Sequence, residues 1–343
     1  MTKKRAVVIC PGRGSYAAGE LGYLHRHHAA REDRIAALDA ARGDRGAVPV
    51  SQLDRDETFS PTRHLPGRNA SNLIYTSALM DFAAIDTDLY EIVAVCGNSL
   101  GWYLTLACAG ALSLQGGAML VDTMGDLMER EGPGGQLLYS VSGEDWRIDP
   151  ARRAGVLAAV EGIDNAYLSI DLSGTLVLAG DAGALSALKA ALTRQFGDAP
   201  VQLPKHAAFH TPLLQDVASK ARAMLDRAMF TQPEIPMIDG RGAIFSPRST
   251  DCDALYDYTL DTQITRTYGF ATSIEIAVKE FAPDCLILLG PGSSLGAPVA
   301  QTLIDHRWRG MSARADFQRQ QQDAPYLLSM GREEQRALVT GRD

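Results

Sequence analysis

The chain has 343 residues, 46% of them hydrophobic and 22% charged, and its formal net charge at pH 7 is −8. This length accommodates one large domain with an insert, or two domains. The acidic balance provides no basic excess to neutralise phosphates, so we expect no nucleic-acid partner. No apolar run approaches the roughly 18 residues of a membrane span, so we expect no membrane partner and a cytoplasmic protein.

The first half of the chain begins with an apolar strand at residues 6–10, followed by the turn Pro-Gly-Arg-Gly-Ser at residues 11–15. The mixed, polar stretch at residues 29–70 predicts a helix and then a long surface connection. The apolar pattern at residues 72–84 predicts a buried helix. The β-branched run at residues 92–96 then predicts a second buried strand.

Ser99 lies in Gly-Asn-Ser-Leu-Gly at residues 97–101, directly after that second strand. A Gly-x-Ser-x-Gly turn between a strand and a helix is typical of a nucleophile elbow, which lifts the serine above the sheet. Glycines on both sides permit the sharp turn, and free backbone N–H groups at the start of the next helix suit an acyl oxyanion. The alternative from this motif alone is a structural turn with a capping serine.

Helices are predicted at residues 102–112 and 115–131, and a Gly- and Pro-rich break follows at residues 132–135. The spacing of the hydrophobic residues changes after this break. The order strand, helix, strand, strand, helix, strand follows, which is a ferredoxin-like unit. We therefore predict an α/β fold: an α/β-hydrolase-like core with a parallel sheet and an inserted ferredoxin-like domain. The predicted domains are a core of residues 1–131 and 204–312, an insert of residues 132–203, and a polar tail of residues 313–343.

A serine nucleophile requires a base, and the chain has seven histidines. His25, His27 and His28 share a polar segment that predicts a solvated helix face more readily than a metal site. His64 and His306 have surface-like, arginine-rich surroundings. His206 and His210 lie where the chain returns from the insert, where two domains form a cleft. The five cysteines are scattered without a Cys-x-x-Cys pair, which predicts neither a disulfide framework nor a zinc site.

Four motifs in order resemble those of the malonyl-CoA:acyl-carrier-protein transacylases, the acyltransferases of fatty-acid and polyketide synthesis. Residues 11–15 resemble the family's Pro-Gly-Gln-Gly-Ser, and residues 97–101 resemble Gly-His-Ser-Leu-Gly. Ala-Phe-His-Thr-Pro-Leu-Leu at residues 208–214 resembles the segment that carries the family histidine. Leu-Gly-Pro-Gly at residues 289–292 resembles the family's late strand end. Together the motifs span most of residues 6–310.

The resemblance implies that Ser99 is the nucleophile and that His210 is the base of a dyad that requires no carboxylate. It also implies that the backbone N–H groups of Leu100 and Arg13 bind the oxyanion. The expected substrate is an acyl-CoA. The expected partner is an acyl-carrier protein, which brings its own phosphopantetheine and binds transiently. No permanently bound cofactor and no metal are implied.

The residues expected to bind substrate are Arg13, Asn98, Trp102, Met124, His206 and Phe209. Several of them differ from the residues that the family has at these positions. Met124 stands where malonyl-specific members have an arginine that binds the free carboxylate. Either Met124 lines a pocket for a neutral acyl group, which we favour, or Arg13 supplies the cation from the opposite wall. Asn98 replaces a histidine and Trp102 replaces a glutamate. Gly240 stands where the family has an asparagine, and the neighbouring Asp239 forms a turn or contacts His210.

Three alternatives to transfer remain at this point. The first is an acyl-thioester hydrolase on the same scaffold, in which water replaces the carrier thiol. The second is a patatin-like lipid hydrolase, in which Ser99 pairs with Asp239 and His210 is dispensable. The third is a module that binds the carrier without catalysis.

Overall fold

The computed structural model describes residues 2–341. Its strands form two sheets. The strands are β1 (Lys4–Cys10), β2 (Tyr90–Gly97), β3 (Gly135–Ser140), β4 (Ala166–Asp171), β5 (Thr175–Gly180), β6 (Val201–Gln202), β7 (Met237–Ile238), β8 (Ile244–Phe245), β9 (Tyr268–Gly269), β10 (Cys285–Leu288) and β11 (Leu327–Ser329).

The larger sheet has the order β11-β10-β1-β2-β7-β8 and is parallel from β11 to β7. Its central strand β1 is completely buried from Ala6 to Cys10, as expected for a parallel strand with both faces covered. In the β1–β2 register, Cys10 lies opposite Gly97. The turn that follows β1 and the elbow that follows β2 therefore lie side by side.

The smaller sheet has the order β6-β3-β5-β4-β9. Strand β3 is antiparallel to both β5 and β6, and β4 is antiparallel to β5. The side chains of this unit form their own hydrophobic cluster, which includes Leu137, Val156, Leu178 and Leu188. The predicted fold class, an α/β-hydrolase-like core with a ferredoxin-like unit, is confirmed. Strand β9, which comes from outside residues 132–203, pairs with β4 and extends the smaller sheet.

Helices cover the sheets and connect their strands. They are α1 (Tyr23–His28), α2 (Glu32–Gly43), α3 (Val50–Asp54), α4 (Pro61–His64), α5 (Gly67–Phe82), α6 (Leu100–Cys108), α7 (Leu114–Glu131), α8 (Pro150–Glu161), α9 (Ala182–Phe196), α10 (Gln215–Met224), α11 (Cys252–Asp257), α12 (Gln263–Thr265), α13 (Phe270–Phe281), α14 (Gly296–Asp305), α15 (Arg314–Asp323) and α16 (Glu333–Thr340). Ser113 caps α7 by accepting a hydrogen bond from the N–H of Gly116. Within residues 2–341, none of the helices has the length and hydrophobicity that crossing a membrane requires.

Two segments differ from the sequence expectation. Residues 29–70 contain the expected helix, α2, but no long surface connection follows it: α3, α4 and the start of α5 do, and the side chains of Val50, Leu53 and Asp54 are buried. The C-terminal segment is polar overall, yet β11 extends the larger sheet and the buried Arg336 of α16 pairs with Asp81. In both segments a few buried side chains, apolar or ion-paired, fix a mostly polar stretch to the core. The average composition of such a segment therefore does not show that it is packed against the core.

Candidate active site

The elbow at Ser99 has the sharp geometry that its sequence predicts. Ser99 lies between β2 and α6 with φ 56° and ψ −109°, a conformation that L residues rarely adopt. A Cβ atom on Gly97 would lie 2.4 Å from the carbonyl oxygen of Gly101, and one on Gly101 would lie 2.4 Å from that of Cys10. Only glycine therefore permits this close approach of β1, β2 and α6.

Ser99 forms a hydrogen bond with the predicted base. Its Oγ lies 2.7 Å from Nε2 of His210. Nδ1 of His210 lies 2.5 Å from the backbone carbonyl oxygen of Gln263, which can only accept a hydrogen bond. Nδ1 therefore carries the proton in the neutral ring, and Nε2 is the free acceptor for the serine hydroxyl. This tautomer is the one that removes a proton from Ser99.

Two cavities meet at Ser99. The first is a narrow, largely apolar pocket, and its walls include Leu100, Val121, Met124, Phe209 and the side chain of Arg13. The second is a cleft of about 480 Å³ between the two sheets, and its walls include Asn98, His206 and Phe209. A reacting carbonyl at Ser99 would therefore lie where the narrow pocket and the larger cleft meet.

No protein-family model matches the chain. The malonyl CoA-acyl carrier protein transacylase of Salmonella typhimurium is 25% identical over 300 residues, which cover 84% of this chain and 89% of that protein. The malonyl-CoA:acyl carrier protein transacylase of Xanthomonas oryzae has the same fold, with a TM-score of 0.76, 20% identity and 99% of each chain covered. The chain therefore resembles the malonyl-CoA:acyl-carrier-protein transacylases in sequence and shares their fold. The resemblance identified from the sequence motifs is confirmed.

A second solved structure also has this fold. It is a malonyl-transacylase solved in complex with a type II polyketide synthase acyl-carrier protein, with a TM-score of 0.74, 16% identity and 99% of each chain covered. At this level of identity, the likeness shows the shared fold.

The oxyanion donors predicted for this transacylase relative lie on the two neighbouring turns. Leu100 is the first residue of α6, so its N–H has no acceptor within the helix. Arg13 lies in the turn after β1, beside the elbow because Cys10 and Gly97 are paired. The role of these two N–H groups stays a prediction.

Burial sets the protonation state of the base. It lowers the pKa of His210 to about 4, and the hydrogen bond to the Gln263 carbonyl opposes this only partly. His210 is therefore neutral at pH 7 and is available as a general base.

This low pKa predicts an unusual pH profile. Because kcat/KM reports the free enzyme, its acid limb should fall as pH drops through about 4, whereas a histidine with its ordinary pKa would lose half of the activity near pH 6.5. The measurement is the rate of Ser99 acylation by an acyl-CoA between pH 4.5 and 8, with circular dichroism at each pH to verify folding. A half-loss near pH 6.5 in folded protein would contradict the assignment.

Sequence reasoning missed Gln263 and Tyr103. The side chain of Gln263 donates from Nε2 to the carbonyl oxygen of Ser99 at 3.1 Å, while its backbone holds His210. The hydroxyl of Tyr103 in turn donates to Oε1 of Gln263 at 2.9 Å. Gln263 directly follows a π-helical turn at Tyr258–Thr262, a feature often found at functional sites. No local motif marks this glutamine, because its side-chain contacts are made across 160 or more residues of chain and its backbone contact with His210 across 53.

Tyr103→Phe is expected to lower the rate of Ser99 acylation up to about tenfold, because it leaves a buried amide oxygen of Gln263 without its donor. The matched control is Tyr90→Phe. Tyr90 begins β2, at the end of the strand away from Ser99, and its hydroxyl donates to the carbonyl oxygen of Leu338. Both variants should lose comparable stability in urea unfolding, but only Tyr103→Phe should slow acylation. Equal acylation rates in the two variants would show that Tyr103 does not position Gln263.

His206 joins the smaller sheet to the catalytic loop. Its Nδ1 lies 2.6 Å from Oε1 of Gln136, whose Nε2 donates to Oγ of Ser169 at 2.6 Å. That hydroxyl donates to the carbonyl oxygen of Phe209 at 2.7 Å. Burial, with a smaller effect from the charge of Arg13, lowers the pKa of His206 to about 3. A neutral His206 therefore holds the residue before His210 and forms part of the cleft wall.

The prediction that Trp102 binds substrate is wrong. Its side chain is fully buried against Phe245 and Tyr258, and its Nε1 donates to Oγ1 of Thr259 at 3.0 Å. Successive residues of a helix point about 100° apart, so Trp102 faces away from the pocket while Tyr103 faces into it. Arg13, Asn98, Met124, His206 and Phe209 do line the cavities at Ser99.

Asp239 does not contact His210. Its carboxylate accepts hydrogen bonds from the backbone N–H groups of Arg241 and Ala243 and from the Arg241 side chain. The interpretation of Asp239-Gly240 as a turn therefore fits the structure. A Ser-Asp dyad has no geometric basis here, because the hydrogen-bond partner of Ser99 is His210.

The N-terminal histidines also have structural roles. His28 is fully buried and lies 2.8 Å from Oδ1 of Asp81, in contrast to the solvated helix face expected from the sequence. His64 is buried and lies within hydrogen-bonding distance of the carbonyl oxygens of Ser60 and Leu53. Among residues 2–341, no group of three or more His, Cys, Asp or Glu side chains is arranged to hold a metal ion.

Proposed function

We propose that this protein is an acyltransferase that moves a short acyl group from CoA to an acyl-carrier protein through an ester on Ser99. The main support is the 2.7 Å hydrogen bond from Ser99 to a His210 whose tautomer leaves Nε2 free to accept a proton. The family relationship supports the same chemistry, because the relatives are transacylases between CoA and an acyl-carrier protein by name.

The first half-reaction forms the acyl-enzyme. Oγ of Ser99 attacks the thioester carbonyl carbon while Nε2 of His210 accepts the hydroxyl proton. The developing oxyanion accepts hydrogen bonds from the backbone N–H groups of Leu100 and Arg13. The carbon–sulfur bond then breaks, and the CoA sulfur leaves with the proton from Nε2.

The second half-reaction runs the same steps in the other direction. The thiol at the end of the carrier's phosphopantetheine gives its proton to Nε2 and attacks the Ser99 ester. Collapse of the intermediate returns the proton from Nε2 to the Ser99 oxygen. The free enzyme is restored and the acyl group lies on the carrier. The cleft between the two sheets is the route by which a flexible arm reaches Ser99.

Transfer and hydrolysis differ only in the acceptor, so the products distinguish them. Purified protein is incubated with an acyl-CoA and a carrier protein that bears phosphopantetheine, and acyl-carrier and free acid are measured over time. Transfer predicts acyl-carrier as the main product and little free acid. The control is the same carrier without phosphopantetheine, which lacks the accepting thiol. Free acid released at one rate with either carrier would contradict transfer and indicate a hydrolase, and no turnover would indicate a binding module.

A further inference from the structure

Arg13 projects its side chain into the pocket beside Ser99. It follows β1 by three residues and lines the same pocket as Met124 and Phe209. The guanidinium carbon lies 5.4 Å from the centre of the Phe209 ring, and Nη2 donates to the carbonyl oxygen of Leu65 at 3.3 Å. Both contacts hold the cation at the pocket and neither neutralises its charge.

Other buried arginines of this protein are paired with carboxylates. Arg42 contacts Asp122 at 2.8 Å and Arg336 contacts Asp81 at 2.5 Å. Within residues 2–341, no carboxylate oxygen lies within 4 Å of the Arg13 guanidinium. A guanidinium has five N–H donors, and the Leu65 carbonyl accepts from one of them. Arg13 therefore retains donors that an anion in the pocket would satisfy.

The rest of the pocket contributes no charge. Leu100, Val121, Met124 and Met128 are apolar, and His210 is neutral at pH 7 because burial lowers its pKa to about 4. Burial also lowers the pKa of Arg13, to about 10, and the Glu129 carboxylate, which forms no ion pair with Arg13, opposes this only partly, so the guanidinium keeps its proton at pH 7. A partly desolvated cation in an apolar pocket is costly unless an anion pairs with it there.

We propose that Arg13 binds a carboxylate carried by the acyl group, so that the group transferred through Ser99 bears a free carboxylate and is not neutral. This inference rests on the proposed acyl transfer. It takes the second of the two alternatives left by the sequence, although Met124 favoured the first. The positive charge comes from the turn after β1, and not from the position on α7 where the family resemblance places an arginine.

The pairing explains why Met124 is compatible with an acidic acyl group. A planar guanidinium presents two parallel N–H groups that match a carboxylate, and the Phe209 ring packs against the guanidinium of Arg13. The side chain of Met124 then contacts only the carbon atoms of the acyl group. Arg13 thereby recognises the charge, and Met124 provides the apolar surface.

The test is a competition between two thioesters that differ by one carboxylate, malonyl-CoA and acetyl-CoA. Both are mixed at equal concentration with wild-type protein and with Arg13→Gln, and the two Ser99 adducts are measured by intact mass at early times. The wild type is expected to load malonyl at least about tenfold faster. Arg13→Gln is expected to lower the malonyl-to-acetyl ratio by about 10- to 100-fold, as for the loss of charge-assisted hydrogen bonds.

The ratio comes from one sample, so it does not depend on how much of the variant is folded. Gln keeps the backbone N–H at position 13, so the expected oxyanion donor is retained. Arg194→Ala, an exposed arginine on α9, is the matched control and should leave both rates unchanged. A wild type that prefers acetyl, or a ratio unchanged in Arg13→Gln, would overturn this inference alone. Absence of any adduct would overturn the proposed transfer as well.

Discussion

His210→Ala is expected to lower the rate of Ser99 acylation by about 10²- to 10⁴-fold, the usual contribution of a general base. Nε2 of His210 lies 2.7 Å from the Ser99 hydroxyl and is its hydrogen-bond partner in the structure. Without it, the attacking oxygen keeps its proton and the departing sulfur has no nearby acid. The measurement is the single-turnover rate of acyl-enzyme formation with a short acyl-CoA.

The controls for this variant come from the same chain. His25→Ala removes an exposed histidine from α1 and should leave the rate unchanged. Asp239→Ala should destabilise the turn at residues 239–243 without removing the base. A rate that is normal in His210→Ala and lost in Asp239→Ala would contradict the Ser-His dyad and favour a Ser-Asp dyad.

Gly101→Ala is expected to destabilise the protein by about 1–3 kcal/mol, the usual cost of forcing extra atoms into a packed interior. The added Cβ would lie 2.4 Å from the carbonyl oxygen of Cys10 and 3.0 Å from that of Pro11. These are backbone atoms, so no side-chain rotation relieves the clash. Separation of β1 from α6 would also move the turn carrying Arg13 away from Ser99, so acylation should slow in the folded fraction. Urea unfolding and acylation rates measure the two effects.

The matched control for that substitution is Gly43→Ala. Gly43 ends α2, and a Cβ there would meet nothing within 4 Å. Because alanine restricts the unfolded chain more than glycine does, this variant is expected to gain about 0.4–1 kcal/mol. If Gly101→Ala were as stable as Gly43→Ala, this result would contradict the close approach of Gly101 to the backbone of Cys10 at the elbow.

The elements that the sequence predicted well are those determined by neighbouring residues. The strand before Ser99, the glycines around it and the motif at His210 are contiguous in the chain, so short patterns were sufficient to identify them. The ferredoxin-like unit was also recognisable, because its alternating strands and helices lie in one uninterrupted segment.

The residues that escaped prediction depend on contacts between distant segments. Gln263 acts through its backbone oxygen on His210 and through its amide on Ser99, and neither contact leaves a signature in residue type. Trp102 was misplaced because proximity to Ser99 in sequence does not determine which side of a helix a residue faces. His28 looked solvated because its buried partner Asp81 lies 53 residues away.

The most direct test of the account is to identify the atom that carries the acyl group. Wild-type protein is incubated with a panel of short acyl-CoAs, and the intact mass and the modified peptide are determined. The account predicts one acyl group per chain, on the peptide that contains Ser99, and none in Ser99→Ala treated identically. No adduct with any acyl-CoA, or an adduct that persists in folded Ser99→Ala, would contradict it.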